Sequence, residues 1–243
     1  MMLSIVHPVA FTPDAGRSSA GTGLANLATP SPREAFAAAS AQATIVLDLG
    51  SAQAIDHVVL GFTTAGAADS FAVVPGLDGA AVPGAFAHSY RRAPVLRHGL
   101  CVLPAPVITR YVQLRINTAT PIRAGVAVVG QAMRSAYEYG SGRPLVDTGR
   151  SERLWSGGFG GEDGAVAGGY AWTMVDLTDA LRDRLYAMHL DLGTTGDFLV
   201  VEDGAAPEGL NERIHWGRFP KLETFERQAD GTSKLPMAIT DWA

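Results

Sequence analysis

The glycine-rich stretch 156–164 is the first segment whose residue types could do chemistry, because glycine-rich loops can cradle phosphate groups. A dinucleotide-binding fingerprint here would need glycine at positions 158, 160 and 163, and position 163 is Asp. No Gly-Lys-Ser/Thr follows, and no helix is expected to start at the end of the stretch. Glu162 and Asp163 carry calcium-binding groups, but their spacing matches no calcium loop. We therefore predict a mobile loop that becomes ordered against a partner subunit.

The six histidines form no metal-binding motif, because neither His-x-x-x-His nor His-Glu-x-x-His occurs. Asp56 and His57 are adjacent, and on a strand their side chains would point to opposite faces, which argues against a catalytic dyad. Gly50-Ser51-Ala52 lacks the Gly-x-Ser-x-Gly pattern of a serine hydrolase. The sequence leaves distant carboxylate pairs for glycoside cleavage open but singles out none. It thus predicts no metal, no cofactor and no enzymatic activity.

The overall composition excludes several partners. A net charge of -5 gives no electrostatic footprint for nucleic acid. No apolar run approaches the ~20 residues that cross a bilayer, and the N-terminus lacks the pattern of a signal peptide, so we expect synthesis in the cytoplasm and no membrane insertion. Hydrophobic residues make up 47% of the chain, enough for a substantial core. The single cysteine, Cys101, lies in an apolar run and is predicted to be a buried, inert thiol.

Residues 1–42 and 43–135 differ in composition. The first segment is rich in Ala, Ser, Thr, Pro and Gly, which predicts an extended arm or long loops. It either packs on or near its own domain or lies on a neighbouring subunit. The second segment holds short apolar runs with turns between them, one of which is predicted at Gly50–Gln53, and predicts an antiparallel β-sandwich. The predicted strands are Thr44–Leu49, Ile55–Phe62, Phe71–Val74, Gly99–Leu103, Arg110–Ile116 and Gly125–Gly130.

Three motifs in this region resemble the discoidin-like, galactose-binding-type jelly roll. In that group a strand ending in Leu-Asp-Leu-Gly, here Leu47–Gly50, is followed by an Ile-Asp-x-Val strand, here Ile55–Val58. An Arg-Tyr-Val-x-Leu-Arg strand comes later, here Arg110–Arg115. The resemblance spans residues 40–132 and implies the jelly-roll fold, which by itself does not fix a function.

Residues 136–243 are predicted to form a small α+β domain. Apolar residues at helical spacing follow Thr178, a predicted N-cap, and Gly193 is predicted to end the helix. Thr194–Asp197 then turns the chain, and Phe198–Val201 is predicted to be a buried strand. Further strands are expected at Tyr170–Leu177 and Lys234–Trp242.

A helix that runs into Gly-Thr-Thr-Gly-Asp (residues 193–197) and an apolar strand resembles a family of minor tail proteins of tailed bacteriophages and prophages. Ile214–Gly217 and Phe219–Phe225 are similar to the next two strands of that family, and the likeness extends upstream to residues 150–169. The resemblance implies a structural protein of the virion tail, made in the cytoplasm of the bacterial host and placed at the distal tip or baseplate. Its partners would be copies of itself and other tail proteins.

Two sets of surface residues follow from these alternatives. For assembly, we predict an interface at Arg153, Trp155, Phe159 and Tyr170, because interfaces use aromatic anchors and arginine. A rival interpretation of Trp155 is that it fills the boundary between the two domains. The alternative function is binding of a host-surface glycan by the sandwich, with Tyr90 beside Arg91 and Arg92 as the contact surface.

Overall fold

The computed structural model describes residues 2–66, 68–90, 96–147, 149–205, 208–228 and 231–242. The described part is mainly β, as predicted, with one α-helix, α1 (Asp179–Leu192), and two short 3-10 helices, Leu24–Ala28 and Leu210–Arg213. No helix among these residues has the length and apolar character needed to span a bilayer. The strands are, in chain order, β1 (Met2–Val6), β2 (Thr12–Pro13), β3 (Gly21–Thr22), β4 (Phe36–Ala38), β5 (Gln42–Thr63), β6 (Ser70–Pro75), β7 (Val82–Phe86), β8 (Arg97–Asn117), β9 (Arg123–Ala124), β10 (Val126–Gly130), β11 (Ala132–Ala136), β12 (Val146–Asp147), β13 (Arg150–Arg153), β14 (Phe159–Glu162), β15 (Val166–Ala167), β16 (Gly169–Leu177), β17 (Asp197–Glu202), β18 (Ile214–Arg218), β19 (Glu226–Arg227) and β20 (Ser233–Asp241).

The chain divides into two compact units. The sandwich unit comprises Ser4–Arg134 and Leu199–Ile214, and the helix unit comprises Met1–Leu3, Ser135–Phe198 and His215–Ala243. The predicted division placed residues 199–214 with the second half of the chain, whereas they belong to the sandwich unit. Residues 4–42 also belong to that unit, where Leu27 and Phe36 are fully buried in its core.

The sandwich unit is built on an antiparallel sheet with the strand order β10-β5-β8-β6-β7, and β2 pairs with β5. Strand β7 pairs with both β6 and β8, so the sheet curls. A second antiparallel sheet has the order β3-β4-β9. These antiparallel sheets are consistent with the predicted β-sandwich class.

Strands β5 and β8 are each longer than predicted. The turn expected at Gly50–Gln53 is instead an irregular stretch of β5, in which Gly50 adopts φ +75° and the pairing register with β8 shifts between Asp48 and Gln53. Such bulges bend a strand without removing it from the sheet. The two predicted strands on either side are therefore one strand, and so are Gly99–Leu103 and Arg110–Ile116 within β8.

The core of the sandwich unit contains aliphatic side chains from β5, β8 and β10 and the rings of Phe36, Phe71 and Phe86. Cys101 is buried in this core, as predicted, with its Sγ atom 3.7 Å from the carbonyl oxygens of Val82 and Pro83. Burial raises the pKa of the thiol to about 11 because it disfavours the thiolate. Cys101 therefore packs as a small apolar residue.

The helix unit contains α1 and antiparallel strands. Strand β16 pairs with β20, and β20 also pairs with β18 and β19. The predicted helix is confirmed: the hydroxyl of Thr178 accepts a hydrogen bond from Leu181 N over 3.4 Å, and Gly193 follows the last turn with φ +54°. Leu185 and Met188 provide its buried face. Phe219–Phe225, predicted to be a strand, has no strand pairing, because its aromatic side chains pack against other rings of this unit.

Candidate functional site

A β-hairpin formed by residues 146–167, here named the Trp hairpin, carries three of the predicted interface residues. Within it, β12 pairs with β15 and β13 pairs with β14, both antiparallel. The chain reverses where Leu154 N–H donates to the carbonyl oxygen of Gly158 over 2.8 Å. Gly157 has φ +87° in this turn, which favours glycine. The stretch predicted to be a mobile loop thus contains a tight turn that leads into strand β14.

The aromatic side chains of the Trp hairpin are exposed to solvent. Trp155, in the turn, is 100% accessible, and Phe159 is 75% accessible. Arg153 lies directly opposite Phe159 in the register of β13 and β14, so these residues share one end of the hairpin. None of the described residues 146–167 is buried. This end of the hairpin therefore presents an apolar surface with a positive charge beside it.

Tyr170, the fourth predicted interface residue, lies in the core of the helix unit and is only 2% accessible. Its ring stacks on those of Trp172 and His215, each at a centroid distance of 5.4 Å. Side chains alternate along β16, and the alternation places Tyr170, Trp172 and Met174 on the same buried face. Tyr170 thus has a packing role and is not available to a partner on the surface.

Tyr90 is an exposed aromatic residue of the sandwich unit, and both its backbone and its hydroxyl are hydrogen-bonded. Its backbone N–H donates to Glu212 Oε2 over 3.3 Å, and its hydroxyl donates to the carbonyl oxygen of Glu208, also over 3.3 Å. The hydroxyl of Ser89 donates to the other carboxylate oxygen of Glu212. The Tyr90 side chain is nevertheless 73% accessible. Arg91 and Arg92, predicted as its neighbours in a glycan contact, lie outside the described residues.

Gly209 allows the ring of Tyr90 to lie against the backbone. A Cβ atom at this position would be 1.9 Å from Tyr90 Cε2, and Gly209 has φ +62°. The next residues are fixed as well, because Asn211 accepts from His98 N over 2.8 Å and donates to the carbonyl oxygen of Leu96 over 3.2 Å. We name Tyr90, Glu208, Gly209 and Glu212 the Tyr90 surface. Sequence reasoning found only Tyr90, since its partners lie more than a hundred residues further along the chain.

Asp56 and His57 do interact, contrary to the prediction from strand alternation. His57 Nδ1 is 2.7 Å from Asp56 Oδ1, and the pairing register of β5 is irregular between Ile55 and His57, which breaks the alternation. Ala132 N–H also donates to Oδ1 over 2.8 Å, and Arg134 donates to Oδ2 over 3.1 Å. Burial opposes ionisation of Asp56, but the hydrogen bonds outweigh burial and lower its pKa. Both side chains are buried, so this network is closed to a substrate.

A cavity of about 360 Å³ lies between α1 and the segment 222–225 of the helix unit. We name it the α1 groove; it is lined by Tyr186, His189, Leu190, Leu222, Glu223, Thr224 and Phe225. The His189 ring lies 4.7 Å from that of Phe219 and 5.7 Å from that of Phe225, centroid to centroid. Burial lowers the pKa of His189, so the imidazole is neutral near pH 7. Its buried Nε2 atom has no hydrogen-bond partner within the described part of the chain.

The described residues contain no group of three or more His, Cys, Asp or Glu side chains arranged to hold a metal ion. The candidate sites are instead three separate groups of side chains: the Trp hairpin, the Tyr90 surface and the α1 groove. Exposed rings and hydrogen-bonding groups of this kind can bind a ligand or a partner protein.

No protein-family model and no curated protein matches the sequence. Among solved structures, the chain is similar to CpGH89CBM32-6 from Clostridium perfringens, with a TM-score of 0.38, 10% identity and coverage of 50% of this chain and 94% of that one. It is similar to chitosan-binding module 1 of a chitosanase/glucanase from Paenibacillus sp. IK-5, with a TM-score of 0.35, 17% identity and coverage of 51% and 98%. CBM32-1 of a family 31 glycoside hydrolase from Clostridium perfringens gives a TM-score of 0.34, 12% identity and coverage of 51% and 96%. No function follows from similarities at this level.

Proposed function

We propose that the protein is a non-catalytic binding protein whose sandwich unit binds carbohydrate at the Tyr90 surface. The observation that carries the proposal is the Tyr90 ring, which is largely exposed although hydrogen bonds fix it at its backbone N–H and at its hydroxyl. A side chain that is already ordered loses little conformational entropy when a ligand binds. An exposed ring held in this way is a preorganised surface for stacking.

The chemistry of the Tyr90 surface suits a sugar. The C–H groups on one face of a sugar ring are weakly positive and pack on the negative face of an aromatic ring. The carboxylates of Glu208 and Glu212 accept hydrogen bonds, and sugar hydroxyls donate them. Carbohydrate binding also agrees with the names of the structurally similar modules, although the proposal rests on the Tyr90 surface.

A glycan array together with insoluble chitosan tests the proposal on the whole chain. We expect the protein to bind at least one of these, and Tyr90→Ala to reduce its affinity for the best glycan at least about tenfold, or about 1.4 kcal/mol. Ile108→Ala is the matched control, since Ile108 is a comparably exposed residue of the same unit. Binding of the control variant should remain at the wild-type level. A wild-type protein that binds none of the glycans, or equal binding by both variants, would refute the proposal.

Assembly within a phage tail is the second candidate, and the Trp hairpin favours it. An exposed indole beside an exposed phenyl ring and an arginine has the composition of a binding hot spot. In this proposal the protein is a structural component at the distal tip or baseplate of the virion, in contact with copies of itself and other tail proteins. Purified particles from induced source cells should then contain it, as measured by mass spectrometry. Particles that lack it would contradict the assignment.

A further inference from the structure

The Trp hairpin and the α1 groove have complementary chemistry within one helix unit. The hairpin ends in the indole of Trp155, which is fully accessible to solvent. The groove is an apolar cavity with aromatic walls, large enough to fall within the range of small-ligand pockets. Three of its lining residues, Tyr186, Leu190 and Leu222, are exposed apolar side chains. In the part of the chain that the structure describes, the Trp155 side chain is therefore exposed and the α1 groove is open.

Hydrogen bonding and charge also match. An indole has a single N–H donor and no acceptor, whereas a neutral imidazole has one acceptor nitrogen. Among the residues that the structure describes, Nε2 of His189 has no hydrogen-bond partner, and a buried polar atom that lacks one costs free energy. Arg153 lies near Trp155 at the end of the hairpin, and Glu223 lines the groove, so the two sides of the contact carry opposite charges. Glu223 pairs with the exposed Lys221, a weak surface pair that Arg153 can replace.

We infer that the α1 groove of one copy of this chain receives the Trp155 side chain of a second copy. The indole fills the cavity against His189 and Phe225, and Arg153 approaches Glu223. The contact joins two different surface patches, so two copies either exchange it reciprocally in a two-fold dimer or pass it on from copy to copy in a ring or filament. The inference rests on the assembly candidate, for which it names both sides of one contact, and it is independent of carbohydrate binding.

Sedimentation velocity of the full chain tests the contact with one variant on each side. Trp155→Ala removes the indole, and Leu190→Arg places a charge in the groove. We expect the wild type to form oligomers and each variant to sediment as a monomer. Ala187→Arg, an exposed position of α1 outside the groove, is the matched control for the charge and should remain oligomeric. Circular dichroism and the unfolding midpoint confirm that each variant is folded.

A mixture of the two variants distinguishes this contact from any other mode of association. The Leu190→Arg copy retains Trp155 and the Trp155→Ala copy retains the groove, so an equimolar mixture has one complete contact and should form heterodimers that grow no further. A mixture that stays monomeric, or a Trp155→Ala variant that still forms oligomers, would overturn the inference. A wild type that is monomeric up to high micromolar concentration would also overturn it. If that monomeric protein were nevertheless detected in purified particles, the phage-tail proposal would still hold and only the contact between Trp155 and the α1 groove would be refuted.

Discussion

The sandwich core and the Trp hairpin use similar aromatic residues in opposite ways. Phe36 and Phe86 are buried in the core, whereas Trp155 and Phe159 lie in solvent. Burial of an apolar side chain stabilises the fold by about 1.5–3 kcal/mol, and an exposed side chain contributes nothing of this kind. The difference separates residues that hold the chain together from residues available for binding. Four predictions test this separation, in order of decreasing effect on stability.

Phe36→Ala should have the largest effect, because it leaves a cavity in the sandwich core. We expect the free energy of unfolding to fall by about 3–5 kcal/mol. Urea denaturation followed by tryptophan fluorescence measures the change. Phe36→Leu serves as the control and should cost less, since it keeps part of the buried side chain. A loss below about 1 kcal/mol for the alanine variant would mean that the N-terminal segment does not belong to the core.

Asp56→Asn tests the buried polar network of the same unit. Removal of the charge leaves the Arg134 guanidinium without its ionic partner and weakens the hydrogen bond to His57, and we expect a loss of about 3 kcal/mol at pH 7. The folded-state pKa of Asp56 lies below its ordinary value of 3.8, so its stabilising effect is present above that pH and is lost as the pH falls through the folded-state pKa. Melting temperatures of both proteins between pH 7 and 3 should therefore converge toward the acid end. A constant difference across this range would contradict the assignment.

Gly209→Ala should affect stability and binding together. The new Cβ atom would meet Tyr90 Cε2 at 1.9 Å, and φ +62° strains any non-glycine residue by about 1–2 kcal/mol. We expect the loss of stability to exceed this strain and glycan affinity to fall, because the ring must move. Gly50→Ala is a matched control, with φ +75° and no atom within 4 Å of the added Cβ. It should show the strain alone and leave glycan affinity unchanged.

Trp155→Ala should have the smallest effect on folding. An exposed substitution away from special features changes stability by no more than about 0.5 kcal/mol. At a protein concentration at which the wild type is monomeric, the denaturation midpoint should therefore match that of the wild type, in contrast to Phe36→Ala. A loss of 2 kcal/mol or more would show that Trp155 packs within its own chain, as the rival interpretation of a residue between the two domains requires.

Local signals predicted the parts of the fold that depend on neighbouring residues. Helix α1 was predictable because Thr178, Gly193 and the buried face of Leu185 and Met188 act within a few turns. The final strand, Lys234–Trp242, was also predictable from its alternation and corresponds to β20. In these segments, periodicity and capping determine the structure without distant partners.

Features that depend on register or on distant contacts could not be predicted from local patterns. The bulges of β5 bring Asp56 and His57 together, and no local sequence pattern predicts a bulge of this kind. Glu212 reaches Tyr90 only because residues 199–214 belong to the sandwich unit. Residues 219–225 were expected to form a strand from their resemblance to minor tail proteins, but Phe219 stacks on Phe198 at 4.0 Å and Phe225 lines the α1 groove. Packing of these rings replaced the expected strand pairing.

The most direct test of the account measures glycan affinity and sedimentation on Tyr90→Ala, Trp155→Ala and the wild type in parallel. We predict that Tyr90→Ala loses glycan binding and keeps the wild-type oligomer, whereas Trp155→Ala keeps glycan binding and loses the oligomer. This pattern would assign carbohydrate recognition and assembly to separate surfaces. Wild-type protein that binds no glycan, or Tyr90→Ala protein that binds as tightly as the wild type, would contradict the central claim.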